Sequence, residues 1–252
     1  MHIRRSAVLA VLAVLALTLT ASLASAQIPS IPTRFTLGGS FIISEPKEGF
    51  RQNVGNGFGA SGGVAYNILR SGLLGLRFDV SGVGYGKEEK RVPISSTVGS
   101  RILVDVTTRN SITTLSWGPE LAKPNGRIRP YVNAGFSWLF FRTTSSLTGS
   151  DSGEDGSINT TNYKDGTGAW AFGGGLRFTL GRISSPASLD LGARYYRGGS
   201  TSYLREGSIQ DNPDGSITIT PLSSLTPLMV YSVGVKFRIP FESTKPCARL
   251  LC

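Results

Sequence analysis

Histidine is all but missing: the single copy, His2, lies at the extreme N-terminus. Hydrolases and acyltransferases usually depend on that side chain as general base or triad member, so such machinery is not expected beyond the first residues, while a Ser-Lys or paired-carboxylate mechanism stays open. Cysteine is nearly as scarce. Cys247 and Cys252 are the only two, both near the C-terminus, and a pair without histidine makes no metal site. An inert tail disulfide or a free pair is the expectation. Long apolar runs are also lacking after residue 26. No helical span is therefore expected. Any membrane crossing must be made by strands closed on themselves, because unpaired backbone cannot face lipid.

Residues 1–26 read as a secretory signal. Arg4 and Arg5 charge the n-region, Ala, Val and Leu dominate 7–19, and Ala24-Ser25-Ala26 supplies the small-residue site, with cleavage expected after Ala26. Without Arg4 and Arg5, 24 basic residues face 16 acidic ones, a net charge of +8. These cations are scattered rather than clustered, so nucleic acid is not an expected partner. Lys87, Lys90 and Arg91, read as a loop, suit anionic lipid head groups or plain solvation.

What is present is alternation. From Met229 to Phe241 every second residue is apolar or aromatic, with Ser232, Gly234, Lys236 and Arg238 between them. Successive side chains of a strand point to opposite faces, and about ten residues let a tilted strand cross a bilayer. Seven earlier segments follow the same rule: 34–44, 58–68, 73–85, 101–121, 129–142, 168–181 and 188–197, the fourth with a parity change around 110–112. The pattern predicts an all-β chain folded as an eight-stranded antiparallel up-and-down transmembrane β-barrel. The domain reading is signal peptide 1–26, short periplasmic lead-in 27–33 with Pro29 and Pro32, barrel 34–241 and periplasmic tail 242–252.

Connections alternate in length: short at 69–72, 124–126 and 182–187, long at 45–57, 86–100, 143–167 and 198–227. Short periplasmic turns opposite long external loops are the habit of outer-membrane barrels. Asp211-Asn212-Pro213-Asp214-Gly215 marks a turn, and the Thr/Ile alternation of 216–220 suggests a hairpin above the membrane. A ten-stranded barrel is the second possibility.

These residues resemble the small outer-membrane β-barrels of the OmpA, OmpX and opacity-protein type. The resemblance covers about residues 33–241 and rests on the signal, the alternating strands, the turn and loop asymmetry, and the last strand. Val233-Gly-Val-Lys-Phe-Arg-Ile-Pro-Phe241 is similar to the terminal assembly signal of such proteins. It implies the outer-membrane assembly machinery as a partner, in the outer membrane of a Gram-negative-type bacterium, among lipid and lipopolysaccharide. Family members often stop at that Phe, whereas this chain continues from Glu242 to Cys252. The tail is too short for a peptidoglycan-binding domain, so that function is not implied.

Parity assigns Arg34, Arg77, Asp79, Glu120, Arg177, Asp190, Arg194, Lys236 and Arg238 to the lumen. An eight-stranded interior is just filled by side chains, and unpaired charge there costs several kcal/mol. Each carboxylate is therefore expected to pair with a cation, Arg177 with Asp190 above all. Inward glycines such as Gly135, Gly175 and Gly192 leave room for the arginines. Two aromatic belts are expected: Trp117, Phe178, Phe237 and Phe241 at the short-turn ends, and Phe41, Phe58, Phe140, Trp170 and Tyr231 at the loop ends.

No cofactor or metal is expected. Gly82-Val-Gly-Tyr-Gly-Lys87 lacks the Ser or Thr and the helix of a phosphate loop. Asp151-Ser-Gly-Glu-Asp-Gly156 lacks the closing Glu of a calcium loop. The functional expectation is a non-enzymatic wall that displays polar loops, chiefly 143–167 and 198–227, to an unidentified extracellular ligand, for surface contact, adhesion or envelope stability. The alternatives are a small passive pore and a soluble lipocalin-like carrier with its apolar face inward.

Overall fold

The alternation closes on itself. The computed structural model describes residues 33–69, 71–93, 103–149, 158–182, 185–205, 207–212 and 216–240. Its strands are β1 (Thr33–Pro46), β2 (Gly57–Asn67), β3 (Leu74–Pro93), β4 (Leu103–Ala122), β5 (Ile128–Gly149), β6 (Ile158–Thr179), β7 (Ala187–Tyr203), β8 (Ile209–Asp211), β9 (Ile217–Ile219) and β10 (Leu222–Pro240). Eight of them form one closed barrel in the order β1-β10-β7-β6-β5-β4-β3-β2, and β8 and β9 pair only with each other. Every neighbouring pair is antiparallel. The small β8–β9 hairpin is the one announced by the Asp-Asn-Pro-Asp-Gly turn.

Facing follows parity. Phe41, Phe58, Trp170 and Val233 are 82, 68, 60 and 54% exposed on the outer wall, while Ser44, Ser116, Ser137 and Asp190 are buried inside. A greasy outside around a polar inside suits hydrocarbon as the surrounding solvent. A soluble carrier with an apolar interior needs the opposite facing, and that alternative is set aside.

Stagger decides which residues share a height. Directly opposed partners run Phe237, Leu37, Val64, Phe78, Trp117, Phe136, Trp170, Arg197 and back to β10 at Pro227. One circuit thus returns ten residues higher on the same strand. With strand spacings of roughly 4.8 Å and rises of roughly 3.3 Å, that stagger corresponds to a tilt of about 40°.

The short turns are built on left-handed glycines: Gly72, Gly126 and Gly181 have φ of 78°, 116° and 81°, a region that costs other residues strain. On the other rim the strands outrun the expectation. Segments 86–93, 143–149, 158–167, 198–203 and 222–227, read as loop, are strand, so Lys87, Lys90 and Arg91 stand on β3. The apolar alternation stops where the lipid would, but the backbone still needs pairing, and Ser- and Thr-rich ladders supply it. β5 has 22 residues, about 55 Å at that tilt, against an apolar band of roughly 25 Å.

The expected parity change in the fourth strand is absent. Asn110, Ile112, Thr114, Ser116 and Glu120 are all buried on one face of β4. The irregularity lies in its partner, where the register shifts between Gly84 and Gly86. Ile112 looked outward-facing because it is apolar, yet it belongs to an apolar layer inside the barrel.

That layer fills the loop-side half of the lumen with Phe50, Ile112, Leu139, Phe141, Ala169, Ala171, Tyr196, Tyr203 and Leu228 among its buried members. Phe50 comes from the first connection, on a 3-10 turn at Glu48–Gln52. Its ring meets Tyr203 edge-on at 5.2 Å and Phe141 at 6.0 Å. Asn53 Nδ2 donates to the Tyr203 hydroxyl at 3.2 Å, and Lys47 N to Pro227 O at 2.9 Å. The segment read as an external loop is thus a cork.

The signal segment, Pro29 and Pro32, Phe241, the cysteine tail and the acidic 151–156 segment lie outside the described residues.

Candidate functional site

The turn-side half of the lumen is ionic. Arg77 on β3 donates Nε to Asp79 Oδ2 at 2.6 Å and Nη1 to Glu120 Oε2 at 3.0 Å. Glu120, on β4, also accepts from Arg177 Nη2 at 2.7 Å, and Asp79 accepts from Arg194 Nη1 at 3.0 Å. Arg194 Nε donates to Asn133 Oδ1 at 3.0 Å. One chain of contacts therefore links β3, β4, β5, β6 and β7 across the barrel. Arg177 stands directly opposite Asp190 in register. Their Nε and Oδ1 are 3.5 Å apart, an ion pair without hydrogen-bond geometry, for neither atom has a hydrogen-bond partner among the described residues. The shorter partner of Arg177 is Glu120, not Asp190.

Lys236 and Arg238 are buried in the same half, and Arg238 Nη2 donates to Ser185 O at 2.8 Å. Arg34 does not join them. It is exposed, and its Nη1 donates to the Tyr66 hydroxyl at 3.2 Å. Tyr66 is on the outer wall beside Phe35, with ring centroids 5.4 Å apart. The β1–β10 register shifts between Thr33 and Phe35, and this bulge breaks the parity on which the lumen assignment of Arg34 rested.

Two lumen residues escaped the sequence reading. Tyr131 is buried, with the Arg177 guanidinium carbon 4.2 Å from its ring centroid and that of Arg77 5.8 Å away, a cation–π bracket. Arg129 is buried and donates Nη2 to Ser188 Oγ at 3.0 Å. Both have the parity of Asn133 and Ser137, a signal that was available. The glycine opposition Gly175–Gly192 makes the space: a methyl on Gly192 would stand 2.6 Å from the Tyr131 hydroxyl, and one on Gly175 2.8 Å. These glycines seat a tyrosine rather than an arginine.

On the outer wall, Phe178 and Phe237 lie at the turn-side rim, and Phe58, Phe140 and Trp170 toward the loop side. Trp117, Phe41 and Tyr231 fit neither belt. The climbing row reaches Trp117 halfway round, and Phe41 opposes Val233, four residues above Phe237. Tyr231 is six residues above Phe237, so all three sit near mid-height. The ten-residue stagger, not distance from a strand end, sets the height of each ring. Trp117, Phe136 and Trp170 form one ring cluster instead, with centroids 5.3 and 5.9 Å apart.

The sequence that folds into this greasy outer wall, charged inside and closed eight-strand ladder matches the family of the outer membrane protein beta-barrel domain over residues 10–241. The chain belongs to that family. It is an outer-membrane protein of the Gram-negative type. Among solved structures, this family member is similar to Ail, the attachment invasion locus protein of Yersinia pestis, at 13% identity and a TM-score of 0.40, over 82% of this chain and 99% of that one. It is also similar to Neisserial surface protein A at 12% identity and a TM-score of 0.40, over 81% and 97%. A major outer membrane protein of Thermus thermophilus matches at 14% identity and a TM-score of 0.41, over 81% and 99%. No curated protein matches the chain.

Proposed function

We propose that this barrel is a non-enzymatic surface scaffold whose loop side faces out of the cell and touches an external ligand or a neighbouring envelope component. The observation that carries the reading is the double closure of the lumen, ionic on the turn side and aromatic on the loop side. A channel so filled conducts nothing, and the carboxylates that a catalyst would use are each engaged by guanidinium groups. What remains for function is the wall and its overhanging rim. β3 to β6 carry that rim well past the apolar band, and the last connection folds onto it: Tyr85 donates to Leu204 O at 3.2 Å, Lys90 Nζ to Ile209 O at 3.2 Å, and Gly207 N to Glu88 Oε2 at 3.1 Å.

The charge pattern supports lipopolysaccharide as the immediate neighbour. Just above Phe140 and Trp170, Arg142 opposes Lys164 and Lys87 opposes Arg109, all on the outer face. Lys87 reaches Glu89 at 2.5 Å; Arg109, Arg142 and Lys164 have no protein acceptor among the described residues. Like charges opposed across a ladder repel, and the phosphates of an anionic outer leaflet would relieve that. We expect the assembly machinery to read the last strand, β10.

Proteolysis of intact cells tests the orientation. Cuts beyond the rim ends of β3–β4 and β5–β6, with turns 69–72 and 124–126 spared, are the expected result. Cuts confined to the short turns would reverse the reading. A steady open current from the purified barrel in a planar bilayer would replace the scaffold with a pore.

A further inference from the structure

The lumen carries more positive than negative charge. In the turn-side half, Arg77, Arg129, Arg177, Arg194, Lys236 and Arg238 share it with only Asp79, Glu120 and Asp190 among the described residues. The contacts above consume the carboxylates on Arg77, Arg177 and Arg194. No carboxylate lies within ion-pair distance of Arg129, Lys236 or Arg238 among the described residues.

Two of these surplus cations meet at one place. A small cavity at the turn-side mouth is lined by Arg129, Arg177, Arg238, Lys123 and Glu120. Glu120 already accepts from two guanidiniums through one oxygen. Arg129 and Arg238 are 95 and 93% buried. Each offers five N–H donors, yet among the described residues each gives one hydrogen bond to protein, and their Nε atoms are buried without a partner there. Buried cations of this kind require a counter-charge. The space holds about one or two water-sized particles.

We propose that the turn-side mouth binds one small inorganic anion between Arg129 and Arg238, chloride being the size it admits. The anion takes the donors that the protein leaves unused and offsets the surplus charge. The site lies on the periplasmic side in the orientation proposed above, but its existence does not depend on that orientation or on any surface role.

The test uses the full chain folded in zwitterionic detergent, with chloride as the probe. Chloride NMR line width should exceed that of the detergent blank, and bromide should displace the excess. Arg129→Met and Arg238→Met should each reduce the excess several-fold, whereas Arg197→Gln, exposed on the outer wall, should leave it unchanged. At constant ionic strength, replacing gluconate by chloride should raise the unfolding temperature of the wild-type chain, as binding to the folded state alone demands, and not that of the double Met variant. A line width equal to the blank, or an excess that bromide leaves in place, overturns the proposal even if no Met variant folds. Met variants that broaden chloride like the wild type overturn it too.

Discussion

Glu120 and Arg177 sit on strands that do not touch, β4 and β6, yet their side chains meet at 2.7 Å across the face of β5. The same oxygen of Glu120 also holds Arg77 at 3.0 Å. One carboxylate oxygen thus bridges two guanidiniums.

Glu120→Gln should therefore cost about 3–5 kcal/mol, since removing one partner strands the others. Urea unfolding of the micelle-folded protein measures it. Adding Arg177→Met should recover part of the loss, because one stranded charge goes with it. A single-variant cost below about 1 kcal/mol would show that water already reaches the cluster.

Phe50→Ala removes the cork. The expected cost is about 3 kcal/mol, the usual scale for truncating a fully buried aromatic. Current through a planar bilayer should stay at background, because the ionic half still closes the lumen. Combining Phe50→Ala with Arg77→Ala and Asp79→Ala should admit ions, and a combined variant as silent as the wild type would refute the two-level closure.

Gly192→Ala should destabilise by about 1–3 kcal/mol through overpacking, since the new methyl meets the Tyr131 hydroxyl and Ser232 Oγ. Tyr131→Phe in that background should return part of the stability. Equal losses with and without the hydroxyl would point to the backbone instead.

Asp165, on the rim part of β6, accepts from Ser202 N and from Gly166 N, both at 2.8 Å. These two N–H donors hold its carboxyl below the ordinary aspartate value. A carboxyl with a depressed folded pKa lends stability above its unfolded value of about 3.9, and loses it as pH falls through the lower folded one. The protection of the Ser202 amide, its exchange compared with the intrinsic rate at the same pH, should fall on acidification below that range. In Asp165→Asn that protection should already be low at neutral pH and change no further in acid.

Strand number and facing were legible because both are local properties: a greasy residue every second position declares itself within one segment. Residues whose meaning depends on distant partners were not. Arg34 reads inward until the bulge beside it is known. Phe50 is a lone aromatic in a polar stretch, and nothing nearby says that Tyr203 waits for it. Trp117 reads as a rim residue until the stagger of its neighbours lifts it to mid-height. The rim extensions of β5 and β6 escaped notice for a different reason: above the lipid, a strand needs no apolar face, so Thr143, Thr144 and Ser145 gave no sign. Arg129 and Tyr131 are legible, for their parity is as plain as that of Asn133.

The seam of the wall has a consequence for biogenesis. β1 and β10 are laddered from Thr33 opposite Pro240 to Pro46 opposite Leu228, so the first strand of the barrel is bonded to its last. A chain interrupted before residue 222 keeps two raw edges that lipid does not tolerate. Closure of the wall therefore waits for β10, and a barrel lacking it stays open along one seam.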